Sequence, residues 1–332
     1  MTAGSATHGP AAGGPAARIA GFLREGDARA AAGDERAAAA YYRAALQGAG
    51  RMGAALPASL HPALGRAQAR CAQYARAFEA SMRDALAAAD AAPLPGTRFA
   101  AALANLLGQR PPYPPQPKQL LYPEMPTRQF YDRAAFGWTA GLEARTGAIR
   151  AEALAVARDA FAPYVTASGN RPEDAHHALV DDDGWSAYYL HRDGERVDAA
   201  AETCPETMAA LEAVPLTDMP GRAPNVLFSR LKAGARIPPH NGLINTRLIC
   251  HLPLVVPEKC GLRVGWETRA WREGETLIFD DTIEHEAWNE SGEDRIVLLF
   301  EAWQPELSER ERRQVAALMA AVDAHGQGGG TR

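Results

Sequence analysis

Four side chains of this 332-residue chain have the types and surroundings for chemistry: His240, His251, His285 and Arg295. Imidazole nitrogens suit iron, zinc, copper or nickel. His240, in Pro239-His240-Asn241-Gly242, and His285, in Glu284-His285-Glu286, are therefore candidate metal ligands. The same pattern also fits two hydrogen-bonded structural histidines, and spacing alone leaves both readings open. Arg295 heads the apolar run Arg-Ile-Val-Leu-Leu-Phe. A guanidinium is costly to bury there unless an anion meets it, so the run implies either a bound anion or an arginine that reaches solvent or pairs with Glu293.

The elements that must position these groups are short strands. Residues 225–231, 246–256, 262–266, 275–279 and 295–302 are rich in β-branched or aromatic residues and bounded by Gly, Pro, Asn or Asp. No helix-length segment separates them to make a parallel crossover, which predicts a barrel or jelly roll. The expected architecture is α+β, a double-stranded β-helix preceded by an all-α domain. On such a scaffold, histidines far apart in sequence converge at the barrel mouth.

The order of motifs adds a resemblance. Tyr122-Pro123, Phe130-Tyr131-Asp132-Arg133, Cys204-Pro205-Glu206-Thr207, Phe228-Ser229, Pro239-His240-Asn241-Gly242, Asn245-Thr246-Arg247-Leu248, His251-Leu252, Trp266-Glu267-Thr268, Trp271, Phe279-Asp280-Asp281, Glu284-His285-Glu286 and Arg295 follow one another in a single series. Over residues 121–305 the chain resembles the aspartyl/asparaginyl β-hydroxylase family of iron(II)- and 2-oxoglutarate-dependent oxygenases. The resemblance implies that His240 and His285 hold Fe(II). It implies that Arg295 grips the distal carboxylate of 2-oxoglutarate with help from Ser229, and that His251 lies near the metal-bound end of this cosubstrate. O2 is the third reactant. A guanidinium and a carboxylate form paired charge-assisted hydrogen bonds, which suits Arg295 to that role.

Two positions depart from the pattern. The carboxylate of a facial triad would stand two residues after His240, and there the chain has Gly242. The expectation is an open slot, filled by water in a hydroxylase or by a halide in a halogenase, with room for an aspartate at 242. Family members acting on aspartyl side chains carry an arginine two residues before the strand histidine, where this chain has Ile249. Arg247 remains nearby as a candidate substrate-binding residue.

Composition bounds the rest. A net charge of −5 with 47% hydrophobic residues gives no basic field for nucleic acid and ample material for a core. Cys71, Cys204, Cys250 and Cys260 lack metal-type spacing and are expected to be reduced thiols. Residues 1–15 form a Gly/Ala/Pro-rich tail without the pattern of a signal peptide, and no run is long enough to span a bilayer, so the expected location is the cytoplasm and no membrane partner is expected.

Residues 16–108 are alanine-rich with helical periodicity, and the part from Ala30 to Leu46 resembles a tetratricopeptide repeat unit. A plain helical hairpin and a protein-binding repeat are both open. Helices are expected from His61 to Ala89 and from Arg98 to Leu107. Residues 109–120 hold five prolines and read as a stiff linker. The β-helix domain then occupies 121–306, with a helix over 143–161. Asp181-Asp182-Asp183-Gly184 reads as a turn and His176-His177 as surface. Ser308 with Glu311 predicts a capping box for a helix over 307–322, and 323–332 is a tail.

Three functions are carried forward. The first is hydroxylation of a C–H bond in a peptidyl or free amino-acid side chain or small metabolite, with succinate and CO2 as coproducts. The second is halogenation at the same site. The third is a non-catalytic barrel whose helical domain binds a protein partner.

Overall fold

The computed structural model describes residues 14–165 and 182–327. Expectations for His176-His177, Asp181 and the outermost residues of both tails fall outside these. The chain separates into two compact units, Met1–Pro111 and Pro112–Arg332.

The first unit is helical: α1 (Pro15–Ala31), α2 (Glu35–Met52), α3 (His61–Ala88) and α4 (Arg98–Leu106). Its helices start where the sequence supplies caps. The Asp34 carboxylate accepts from the Ala37 N–H, Thr97 accepts from the Ala100 N–H, and Pro62 sits in the first turn of α3. Gly26 is fixed by packing, because a Cβ there would enter the ring of Tyr42, whose hydroxyl donates to Asp27 at 2.7 Å. Ile19, Leu23, Ala38, Tyr42, Leu64 and Tyr74 form the core of this bundle. No helix among the described residues is long and apolar enough to cross a membrane.

The second unit contains β1 (Phe130–Tyr131), α5 (Thr139–Glu143), α6 (Thr146–Ala155), β2 (Ala162–Pro163), β3 (Trp185–Arg192), β4 (Glu195–Arg196), α7 (Asp198–Glu202), α8 (Pro205–Leu211) and β5 (Val226–Leu231). It continues with β6 (Arg236–His240), β7 (Arg247–Val255), β8 (Cys260–Val264), β9 (Glu267–Arg269), β10 (Leu277–Phe279), β11 (His285–Asn289), β12 (Arg295–Trp303) and α9 (Glu309–Gln327). The described strands form two antiparallel sheets, a large one ordered β1-β10-β7-β12-β5-β3-β2 with β4 beside β3, and a small one ordered β6-β11-β8-β9. This is the double-stranded β-helix. Leu227, Leu231, Ile237, Leu262, Val297 and Leu299 fill its interior, while Phe228, Leu298 and Phe300 point to the outer side of the large sheet with Ile149 of α6 and Leu211 of α8.

Three local expectations change. The helix expected over 143–161 breaks into α5 and α6 and ends at Ala155, where Val156 turns extended. Phe161 is buried in the outer cluster, and β2 must pair with β3, so the chain leaves the helix to reach both. The proline segment is no free spacer beyond residue 112. Around Pro117, Gln116 N–H donates to the Thr282 carbonyl at 2.7 Å and Lys118 N–H to the Gly242 carbonyl at 3.0 Å. At the C-terminus the capping box forms, with the Ser308 hydroxyl 2.7 Å from Glu311, and α9 runs to Gln327, past the expected end at 322.

Candidate active site

His240 ends β6 and His285 begins β11, and the two are direct partners in the antiparallel ladder. Pro238 and Pro239 remove ladder donors from β6, which is tolerable because this strand is a sheet edge. An irregularity in register between His285 and Ala287 re-aims the first residue of β11. The result is a pair of imidazoles with ring centroids 4.1 Å apart. Each Nδ1 lies beside the carbonyl two residues earlier, His240 at 2.9 Å from Pro238 O and His285 at 3.0 Å from Ile283 O. Those carbonyls select the tautomer that donates from Nδ1 in each ring. Burial keeps His285 neutral, its pKa pulled down to about 4.

A row of rings connects this pair to Arg295. Phe279 lies 5.6 Å from His285 and 5.2 Å from His251 between ring centroids. Trp271 Nε1–H donates to His251 Nδ1 at 3.3 Å, and the Arg295 guanidinium stands 4.8 Å from the Trp271 ring centroid. Burial, aided by the Arg295 charge, holds the His251 imidazole well below its ordinary range. Arg295 itself is 1% exposed. Its Nε and Nη1 have no hydrogen-bond partner among the described residues, and it forms no ion pair there, so burial pulls its pKa down to about 10. Ser229 lies on the neighbouring strand β5, opposite Val297 of β12 and thus on the inner face near Arg295, and its hydroxyl accepts from Trp185 Nε1 at 3.1 Å.

The expected slot after His240 is closed. A Cβ at Gly242 would fall inside the carboxyl group of Asp281, so position 242 has no room for an aspartate and the space is already taken by a carboxylate from the β10–β11 loop. Asp281 Oδ2 accepts from Arg247 Nη1 at 3.1 Å, while Oδ1 is buried without a partner among the described residues.

Arg247 is likewise not where substrate contact would require it. It is buried between Asp281 and Glu301, at 3.1 Å from each. Burial works against its charge, but the two carboxylates hold its pKa above the ordinary arginine value. Its charge is thus already matched by two internal acids. Ile249, two residues on, is buried in the interior apolar cluster with Phe130 and Phe279.

The structure thus joins His240, His285, His251, Arg295 and Ser229, and separates Arg247 from them in role. Sequence reasoning assigned no role to Trp271, Trp185, Asp281 or Glu301. Glu301 carried a visible signal, since it closes the same apolar strand that Arg295 opens. Among the described residues no group of three or more His, Cys, Asp or Glu side chains is set to hold a metal.

Residues 143–305 match the family described as aspartyl/asparaginyl beta-hydroxylase. The chain is 36% identical over 178 residues to the human aspartyl/asparaginyl beta-hydroxylase, covering 53% of this chain and 22% of that protein. It is 34% identical over 191 residues to the ornithine lipid ester-linked acyl 2-hydroxylase of Rhizobium tropici, covering 56% of this chain and 64% of that one. The chain thus spans less than two thirds of either relative. Among solved structures, a Cupin 2 conserved barrel domain protein from Salinispora arenicola aligns with 46% of this chain and 98% of its own at 12% identity, with a TM-score of 0.25.

Proposed function

We propose that the chain, whose residues 143–305 match the aspartyl/asparaginyl beta-hydroxylase family, is an Fe(II)/2-oxoglutarate-dependent dioxygenase that hydroxylates a C–H bond. The observation that carries this reading is the pairing of two oriented imidazoles with a fully buried, unpaired arginine across one row of rings. Iron(II), bound with 2-oxoglutarate and O2, supplies the oxidising chemistry, and succinate and CO2 leave with the hydroxylated product.

The chain's own residues do the positioning. His240 and His285 are the residues that would hold the iron, and the Pro238 and Ile283 carbonyls fix the orientation of their rings through Nδ1. Arg295 offers its unpartnered N–H groups to the distal carboxylate, and the Ser229 hydroxyl can add a donor while it accepts from Trp185. His251, held neutral by burial, keeps an uncharged donor or acceptor at the near end of the cosubstrate. Buried apolar side chains around this row exclude water from the reacting atoms.

The site favours hydroxylation over halogenation. A halide beside Gly242 would stand against the Asp281 carboxylate, and like charges repel. The substrate group brought to the metal is neutral or apolar rather than an aspartate carboxylate, because Ile249 is apolar and Arg247 is already paired with two acids. A peptidyl or free amino-acid side chain, a small metabolite and an acyl chain of the kind named for the Rhizobium relative all meet that requirement. The test is an anaerobic mixture of protein, iron(II) and 2-oxoglutarate, exposed to O2 with extracts of candidate substrates and read by mass spectrometry. Iron-dependent succinate with a product 16 mass units heavier, the mass of one oxygen atom or about 16 Da, supports the proposal. A chlorinated product without hydroxylation, or no succinate at all, contradicts it.

A further inference from the structure

The outer face of the large sheet carries a cavity of about 450 Å³ that the proposed chemistry does not use. It lies between α6, the turn at Arg158–Ala160 and the β5–β12 pair. Its buried cation is Arg230, which is 7% exposed and sits opposite Ile296 in the ladder. Ser229 and Arg295, the immediate chain neighbours of Arg230 and Ile296, point to the other face, so the sheet separates this cavity from the interior site.

The hydrogen bonds that Arg230 makes among the described residues go to neutral groups, with the Asp183 carboxylate close enough to feel its charge. Arg230 Nε donates to Ser186 Oγ at 3.1 Å, its Nη1 donates to the Arg158 carbonyl at 3.3 Å, and its guanidinium stacks 4.5 Å from the Phe161 ring centroid. It makes no ion pair among the described residues. A guanidinium carries more N–H donors than these two bonds use, and a desolvated cation with spare donors is costly until an anion completes it. Arg158 lines the same space, again with no ion pair among the described residues. Leu154, Val255 and Ile296 supply apolar wall, whereas Glu293 and Asp294 place negative charge on one side. That combination selects a single negative charge on a hydrocarbon body and disfavours a polyanion.

We propose that this cavity binds an aliphatic monocarboxylate, its carboxylate paired with the free edge of Arg230 and its chain lying on Val255 and Ile296. The site requires neither iron nor 2-oxoglutarate. The probe is 4-methylpentanoate, titrated calorimetrically into the full chain, with inorganic phosphate and 4-methylpentan-1-ol as comparison ligands. Because Arg295 could also attract a carboxylate, the titration is repeated in Arg295→Met, Arg230→Met and Leu154→Glu. Leu154 is 56% exposed, so its replacement leaves the fold intact even if Arg230→Met does not fold. The expected result is saturable binding of 4-methylpentanoate that Arg295→Met leaves in place, that Arg230→Met weakens roughly tenfold or more through loss of a charge-assisted bond, and that Leu154→Glu weakens roughly tenfold or more through like-charge repulsion. Phosphate and the alcohol bind at least as weakly as the probe does to Leu154→Glu. No saturable binding to the wild type, binding lost in Arg295→Met but kept in Leu154→Glu, or phosphate binding equal to the probe would each overturn the proposal.

Discussion

Arg247 and Arg295 stand on adjacent strands of one sheet, 7% and 1% exposed, and are treated in opposite ways. Arg247 has a carboxylate on either side, Asp281 and Glu301, each at 3.1 Å. Arg295 has an indole at 4.8 Å and no acid partner among the described residues. Burial pulls the pKa of Arg295 down, whereas its two neighbours hold that of Arg247 up. A buried cation whose counter-charges are built into the fold serves the fold; one whose counter-charge is missing is suited to take it from a ligand. The difference separates a structural arginine from a binding one more sharply than sequence pattern does.

The same substitution at the two positions should therefore act on different properties. Arg247→Met leaves Asp281 and Glu301 buried without their cation and is expected to lower stability by about 3–5 kcal/mol, read from the urea denaturation midpoint. Unchanged stability would remove the structural role from Arg247. Arg295→Met is expected to leave cosubstrate-free stability unchanged or raised. It should weaken 2-oxoglutarate binding by about 1.5–3 kcal/mol for each charge-assisted bond lost. A large loss of stability there would make the two arginines alike. Gly242→Ala tests the Asp281 side of the comparison. Its methyl group must displace the Asp281 carboxyl from Arg247, at about 1–3 kcal/mol of stability, and wild-type stability in this variant would mean the loop yields freely.

The smallest effect concerns pH. His251 lies well below its ordinary value of 6.5 when folded, and His285 falls to about 4, so the unfolded chain takes up protons that the native site refuses. Their contribution to stability is complete above pH 6.5 and is lost as the pH falls towards 4. Asp280, raised to about 6 by burial, works in the opposite sense, its contribution being lost as the pH rises through that value. His251→Asn isolates the imidazole part: between about pH 7.5 and about pH 5.5 the variant should lose less stability than the wild type. Equal losses would show that His251 does not titrate out of the fold.

Much of the site was legible from residue types. The apolar strands and the histidines among them pointed to a β-helix, and Arg295 stood out as a charge inside an apolar run. What the sequence hid depends on contacts between distant segments. Gly242 read as an empty slot, because nothing near it in the chain reveals that Asp281 enters the same space. Arg247 read as a substrate contact, because its partners lie 34 and 54 residues away. β6 was missed because prolines argue against a strand, and only its edge position makes them tolerable. The broken helix after Glu143 answers to Phe161, whose burial is decided by the sheet beneath it.

The central claim, that Arg295 awaits the distal carboxylate of a cosubstrate held beside His240 and His285, is tested most directly by anaerobic calorimetric titration of 2-oxoglutarate into the iron(II)-loaded protein and its Arg295→Met variant. The expected result is saturable binding to the wild type, weakened roughly tenfold or more in the variant with iron affinity retained. Equal 2-oxoglutarate affinity in both proteins, or none in the wild type, would contradict the claim.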